Sequence, residues 1–280
     1  MKLRLYHHRD GARIAYREAG VGPGLCLMHS AALSHREFVP LVEHLSDRFR
    51  LVLPDLPLHG DSEDRPRHPY TLDWLAEVMA AFCRETCGAH PLVGGHGAGA
   101  EILLRAVSTG QLLAPASLVL MPNRLHCRPT RSRLAVPLRA LAPAASLPGL
   151  DRAASRAVRL AYRPEHGMKL TARGNPAARD LVRHATADVA GNANLARSWS
   201  RWVRRWPAGA QTALLDAYPR IDSPVLLLWA DRDRYHPLAG AEQALDLLPD
   251  GQLRVLPGTG FLLAYDDPVG VARELTAFCL

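Results

Sequence analysis

Apolar positions along the first 123 residues alternate between short buried runs and stripes at helical spacing. Leu3–Tyr6 and Arg13–Ala19 read as strands on either side of Asp10-Gly11, a dipeptide suited to a tight hairpin turn. Gly24–His29 (GLCLMH) and Arg50–Pro54 (RLVLP) are continuous apolar runs of the length of a buried strand. Between them Phe38–Ser46 carries Phe38, Leu41, Val42 and Leu45 on one side, which predicts a helix. Thr71–Cys87 predicts a longer one. Thr71 is placed to cap it, and Leu72, Leu75, Val78, Met79 and Phe82 form its apolar stripe. A strand at His90–Gly94, a helix at Ala98–Ser108 and a strand at Leu118–Met121 complete this part.

The pattern changes after Pro122. Residues 124–215 read as helical, broken by Pro and Gly, with no strand signal. Strands return at Val225–Trp229 and Gln252–Leu256, with helices at Ala239–Leu248 and Val269–Leu280. Strands alternating with helices imply an α/β fold with a mainly parallel twisted sheet flanked by helices. The organisation expected is a core in two parts, 1–123 and 216–280, with 124–215 inserted as a helical cap above the C-terminal edge of the strands. That edge is where such sheets bind ligands.

Composition changes the picture mainly through charge. The 280 residues are 48% hydrophobic and 22% charged, an ordinary globular balance that excludes a disordered chain. No apolar run reaches the roughly 18 residues of a membrane span, and the N-terminus has no stretch of signal-peptide length. Five cysteines without a disulfide-framework spacing point to a reducing cytoplasm. Of the 34 basic residues only Lys2 and Lys169 are lysines, a bias of the kind GC-rich bacterial genomes impose. Residues 124–206 hold 17 basic residues and four acids, a net +13, whereas the remainder is net −6. The basic segment reads as a solvated surface, as a lid that attracts an anionic substrate, or as a docking face for an acidic partner such as an acyl carrier protein. No nucleic-acid module is visible.

The segment with most chemical content is His90-Pro91-Leu92-Val93-Gly94-Gly95-His96-Gly97-Ala98-Gly99-Ala100, a strand that runs through small residues straight into a helix. Gly95-His96-Gly97-Ala98-Gly99 matches the G-x-S-x-G nucleophile elbow at its glycines. Here the chain resembles the α/β-hydrolase superfamily, and further landmarks follow in order. Leu27-Met28-His29-Ser30 resembles its strand and "HG" oxyanion loop, with Ser30 for Gly. Pro54-Asp55-Leu56-Pro57-Leu58-His59-Gly60-Asp61-Ser62 resembles its "PDxxGHGxS" stretch. Leu228-Trp229-Ala230-Asp231-Arg232-Asp233 resembles the strand end with the catalytic acid, at Asp233. Leu256-Pro257-Gly258-Thr259-Gly260-Phe261 resembles the segment that supplies the catalytic His. The resemblance implies the α/β-hydrolase fold with a cap. It also exposes two departures: Gly97 stands at the nucleophile's place and Phe261 at the histidine's. With neither an Oγ or Sγ nor the base, acyl-enzyme chemistry by the usual route is not expected. The resemblance further implies oxyanion donors at the Ala31 and Ala98 backbone N–H groups, beside the space Gly97 leaves.

Candidate catalytic groups around that pocket are Asp233, as a carboxylate base, His29, Ser30, His96 and His126. His29 has an alternative role as a backbone-bonding structural residue, and Cys127 is the alternative thiol nucleophile. Expected substrate contacts are Ala31, Gly97, Ala98, Phe261, Tyr235, His236, Trp199 and Trp202. The tryptophans line one side of a helical segment whose other residues include Arg201, Arg204 and Arg205. No His or Cys spacing suits a metal, and the Gly94–Gly99 cluster is not a dinucleotide fingerprint, so neither metal nor cofactor is expected. These residues fit a non-hydrolytic enzyme: a cyclase, isomerase or lyase (dehydratase or decarboxylase) acting on a small oxygenated intermediate of bacterial secondary metabolism, polyketide-like in character. Two alternatives stand beside it: a catalytically dead pseudo-hydrolase that binds a small ligand, and a hydrolase with a displaced nucleophile such as Ser30 or Cys127.

Overall fold

In the computed structural model, residues 1–65, 67–109, 112–128, 163–191 and 193–280 are described, together with positions 140, 143, 147, 149, 150, 152 and 153; side chains 188–196 are left aside. Eight strands form one sheet: β1 (Lys2–His7), β2 (Arg13–Ala19), β3 (Gly24–Met28), β4 (Arg50–Pro54), β5 (Leu92–Gly95), β6 (Ser117–Leu120), β7 (Val225–Ala230) and β8 (Gly251–Leu256). Their order is β1-β2-β4-β3-β5-β6-β7-β8. β1 and β2 pair antiparallel, as do β2 and β4, and every pairing from β4 through to β8 is parallel.

Burial follows from position in the sheet. All residues of β6 and β7 are buried, as strands covered on both faces require. The edge strands β1 and β8 alternate or lie largely exposed. A first 3₁₀ helix (His35–Leu41) leads into α1 (Val42–Leu45), and then come α2 (Leu72–Cys87) and α3 (Ala98–Ser108). Helix α2 starts where Thr71 Oγ1 accepts from Trp74 N–H (3.3 Å), and its whole predicted stripe is buried. The predicted helix at 38–46 is instead the 3₁₀ turn followed by a single α-turn. Ser34 caps it earlier than the apolar spacing suggests, and Pro40, which has no N–H, sits inside it.

Between β6 and β7 the described residues contain α4 (Glu165–Lys169), α5 (Ala177–Gly191), α6 (Ala193–Arg205) and α7 (Ala213–Ala217), with no strand among them. After β7 come α8 (Leu238–Leu245), α9 (Leu263–Asp266) and α10 (Pro268–Cys279). One core cluster joins α2 and α3 to one face of the sheet and takes in Trp202. A second joins the 3₁₀ helix and α10 to the other face. A third, around Leu33, Ala178, Leu181, Val182 and Leu262, seats α5 on the loop after β8.

Candidate active site

β5 ends in Gly95 and α3 begins at Ala98, leaving two residues to reverse the backbone. Gly97 takes φ +50°, ψ −116°, a conformation that costs a side-chain-bearing residue about 1–3 kcal/mol. Its N–H donates to Pro122 O (3.0 Å), and His96 N–H donates to Met28 O (2.9 Å). Gly99 is needed for close approach, because a Cβ there would collide with Met28 O. This is the sharp strand–turn–helix of a nucleophile elbow. Where its nucleophile would project, another side chain already sits: a Cβ on Gly97 would lie 2.9 Å from the Cβ of Ser30 and collide with its Oγ.

Ser30 is buried and its N–H donates to Glu37 Oε2 (2.7 Å). The other oxygen, Glu37 Oε1, accepts from His96 Nδ1 in a buried carboxylate–imidazole pair. Both side chains are at most 2% exposed, and the remaining ring nitrogen, His96 Nε2, is buried without a partner. A carboxylate on Nδ1 fixes the tautomer and leaves Nε2 as the atom that can take or give a proton. Glu37 was not legible as a functional residue. It lies in an ordinary-looking helical stretch, and its partner is 59 positions away; a single carboxylate within an apolar face was the one local signal.

Asp233 follows the same logic. Its side chain is fully buried; Oδ1 accepts from Tyr235 N–H (2.7 Å) and Oδ2 accepts from His236 Nδ1 (2.8 Å). The acid thus has an imidazole partner three residues on, in place of one from the loop after β8. On that loop Phe261 packs against both histidines. Its ring centroid is 4.1 Å from His96 and 5.3 Å from His236, the latter nearly parallel at 25°. The loop is held by Asp266, whose Oδ2 accepts from Gly260 N–H and Ala172 N–H (2.8 Å each). Two carboxylate–imidazole pairs therefore meet on one phenyl ring.

The other candidates are placed as follows. His29 is fully buried; its Nδ1–H donates to Ser30 O (2.7 Å) and its Nε2 accepts from Leu56 N–H (2.9 Å), so both nitrogens serve the backbone. Burial pushes it below the ordinary histidine pKa. His59 likewise accepts from Ala32 N–H (3.0 Å) and donates to Pro57 O (2.9 Å); burial, aided by neighbouring His29, holds it well below 6.5 and neutral. Burial alone would raise Asp55, but hydrogen bonds from His35 outweigh it and hold the carboxyl below its usual range. Ala31 is exposed and Ala98 buried at the start of α3. His126 sits between Tyr218 Oη (3.3 Å) and Gln243 Oε1 (3.0 Å), away from the two pairs' phenyl ring, and burial raises the Cys127 thiol, which disfavours the thiolate. Tyr235 is exposed, with its ring 6.2 Å from Phe261. Trp199 and Trp202 pack edge-on around His59 at 4.6 and 4.9 Å.

A further buried carboxylate, Glu101 in the first turn of α3, gathers both ends of the segment between β6 and β7. It accepts two hydrogen bonds from the guanidinium of Arg124, one from Trp206 Nε1 (3.1 Å) and one from Gln211 Nε2 (3.4 Å). A groove of about 480 Å³ lined by Asp73, Trp74, Arg105 and Leu112 lies on the outer surface of α2 and α3, and no elbow residue lines it. Among the described residues no group of three or more His, Cys, Asp or Glu side chains could hold a metal ion, and no helix is long and apolar enough to cross a membrane.

A mainly parallel sheet with a sharp turn between β5 and α3, the Ser30 loop beside it and an acid after β7 define an α/β-hydrolase-type protein. The chain belongs to the alpha/beta hydrolase family, whose model matches residues 25–274. It is 30% identical to a pimeloyl-[acyl-carrier protein] methyl ester esterase of Xanthomonas oryzae pv. oryzae, over 91% of this chain and 95% of that protein. It is 36% identical to the magnesium-chelatase 30 kDa subunit of Rhodobacter capsulatus, over 84 residues that make up 30% of each chain. Among solved structures, an alpha/beta hydrolase fold protein from Burkholderia ambifaria superposes with a TM-score of 0.79 at 23% identity, covering 98% of this chain and 97% of that one.

Proposed function

We propose that the protein is a non-hydrolytic, cofactor-independent acid–base enzyme on the hydrolase scaffold, an isomerase, cyclase or lyase of a small oxygenated compound. The observation that carries this reading is the pair of carboxylate–imidazole dyads, Glu37–His96 and Asp233–His236, meeting on Phe261 beside an elbow that has glycine for a nucleophile. Such chemistry needs one group to remove a proton and another to return it, each worth about 10²–10⁴-fold. In this reading His96 Nε2 is the base and His236 the acid. The Ser30 hydroxyl and the Ala98 N–H stabilise the enolate oxygen that forms between the two steps. Residues 124–215 act as a cap, and their net +13 suits a substrate that is anionic or arrives on an acyl carrier protein; the identity to the Xanthomonas esterase supports that route. A cytoplasmic setting fits the five free cysteines.

A second reading, ligand binding without turnover, is favoured by the similarity to a magnesium-chelatase subunit, a component of a larger enzyme. One experiment separates the two: a mass-resolved metabolite comparison of a deletion strain complemented with wild type, His96→Asn or His236→Asn. The enzyme reading expects a precursor isobaric with the lost product, or heavier by water or carbon dioxide, which persists with both variants. An unchanged profile overturns it in favour of binding. A fluorophosphonate adduct at Ser30, with an accumulating ester, overturns it in favour of a displaced nucleophile.

A further inference from the structure

Three of the buried hydrogen-bonding atoms without a partner belong to rings near the elbow and its neighbouring loop. His96 Nε2 is one; the indole N–H groups of Trp199 and Trp202 are two more. Trp202 is 4% exposed, so its N–H meets neither solvent nor protein, a situation that is costly unless something supplies an acceptor. The two indoles are neighbours on α6, with ring centroids 4.7 Å apart. Both stand edge-on around His59, whose own ring lies 4.9 Å from that of His29. Through Ala32 N–H, His59 is bonded to the oxyanion loop. The donors thus belong to an aromatic cluster of neutral rings that joins α6 to the loop beside Ser30. By contrast Trp206, one turn further on, has its N–H satisfied by Glu101, and Trp229 donates to His236 O. Partnered indoles are thus found elsewhere in the molecule, which makes the unsatisfied pair a feature of this site.

We infer that the indole N–H groups of Trp199 and Trp202 are a donor pair for a carbonyl-type oxygen of a flat, apolar ligand seated against the Trp199–Trp202–His59 cluster. The inference rests on the proposed small-molecule site and deepens it by naming the ligand class: an aromatic or conjugated body carrying a ketone, ester or carboxylate oxygen. Neutral indoles suit this role because they donate without accepting, and their faces supply the apolar wall. His59, held neutral by burial, adds a ring without adding charge.

The test uses two probes of the same shape, 2-acetylnaphthalene and 2-ethylnaphthalene, of which only the first has the oxygen. Equilibrium dialysis of the full chain should show a preference of about tenfold for the acetyl compound, the equivalent of about 1.4 kcal/mol. In ¹⁵N-labelled protein the indole N–H resonances of residues 199 and 202 should move downfield with the acetyl probe and stay in place with the ethyl one. Trp199→Phe/Trp202→Phe keeps aromatic rings in place and should erase the preference while retaining binding of both probes. Equal binding of the two probes by wild type, a preference that survives the double substitution, or no binding of either probe overturns the inference. Should the variant lose both probes, the wild-type resonance shifts alone decide. Failure here leaves the His96 and His236 complementation results untouched, so the two proposals fall separately.

Discussion

Ser30 and Gly97 have to be understood together. The hydroxyl of one fills the space that a Cβ on the other would claim, at a backbone position already suited to glycine. Gly97→Ala should therefore destabilise the fold by about 2–4 kcal/mol, strain and collision combined, in a urea titration. Ser30→Gly in the same chain should recover the collision part and leave the strain. The Glu37–His96 pair gives a second expectation at this scale. Glu37→Ala strands a buried imidazole and an acceptor-less Ser30 N–H, and should cost about 3–5 kcal/mol in the same titration. Such pairings explain what could be read from the chain and what could not. Gly97, Phe261 and Asp233 were legible because each sits at a fixed place in a strand–loop pattern. The partners of His96 and Asp233 were not, because local spacing says nothing of which side chain a fold brings across 59 residues, nor that Asp233 turns back onto His236.

At the scale of elements, periodicity was a good guide wherever one face of a strand or helix is buried. β4 and α3 run over the predicted residues, Arg50–Pro54 and Ala98–Ser108, and Thr71 caps α2 as its side chain suggests. It served less well at the 3₁₀ helix, where capping by Ser34 and the missing donor of Pro40 override an apolar spacing that suits an α-helix. Helix α3 carries the clearest consequence between elements. Its first turn holds Glu101, and Glu101 holds Arg124, Trp206 and Gln211. Glu101→Ala should cost about 3–5 kcal/mol, because it leaves a largely buried guanidinium without its carboxylate. Hydrogen exchange should accelerate in α6 and α7 more than in β5–β7, the pattern of a segment released from its anchor. Uniform acceleration would show instead that Glu101 serves the core alone.

For the whole molecule, two buried histidines, His29 and His59, make stability depend on pH on the acid side. His29 and His59 titrate below their unfolded value of 6.5, so the unfolded chain binds protons that the native one refuses. Their contribution is complete above pH 6.5 and shrinks as pH falls from there toward the depressed native values. Asp55, depressed from 3.8, adds a further loss only below that pH. Unfolding free energy measured from pH 8 to pH 4 should therefore decline from about pH 6.5 downward. His59→Gln should flatten that decline even if it lowers stability at pH 8; an unchanged slope would show that His59 titrates normally.

The Ser30–Gly97 arrangement also bears on how the protein can change by descent. Gly97→Ser meets a wall, Ser30→Gly opens a hole with nothing to fill it, and Phe261→His alone would face an elbow with no hydroxyl to activate. A triad at this elbow would therefore need Gly97→Ser, Ser30→Gly and Phe261→His together. Because the Ser30 hydroxyl fills the space an elbow side chain would claim, the two positions can exchange their contents only together, and the loop and the elbow are bound to vary as one unit.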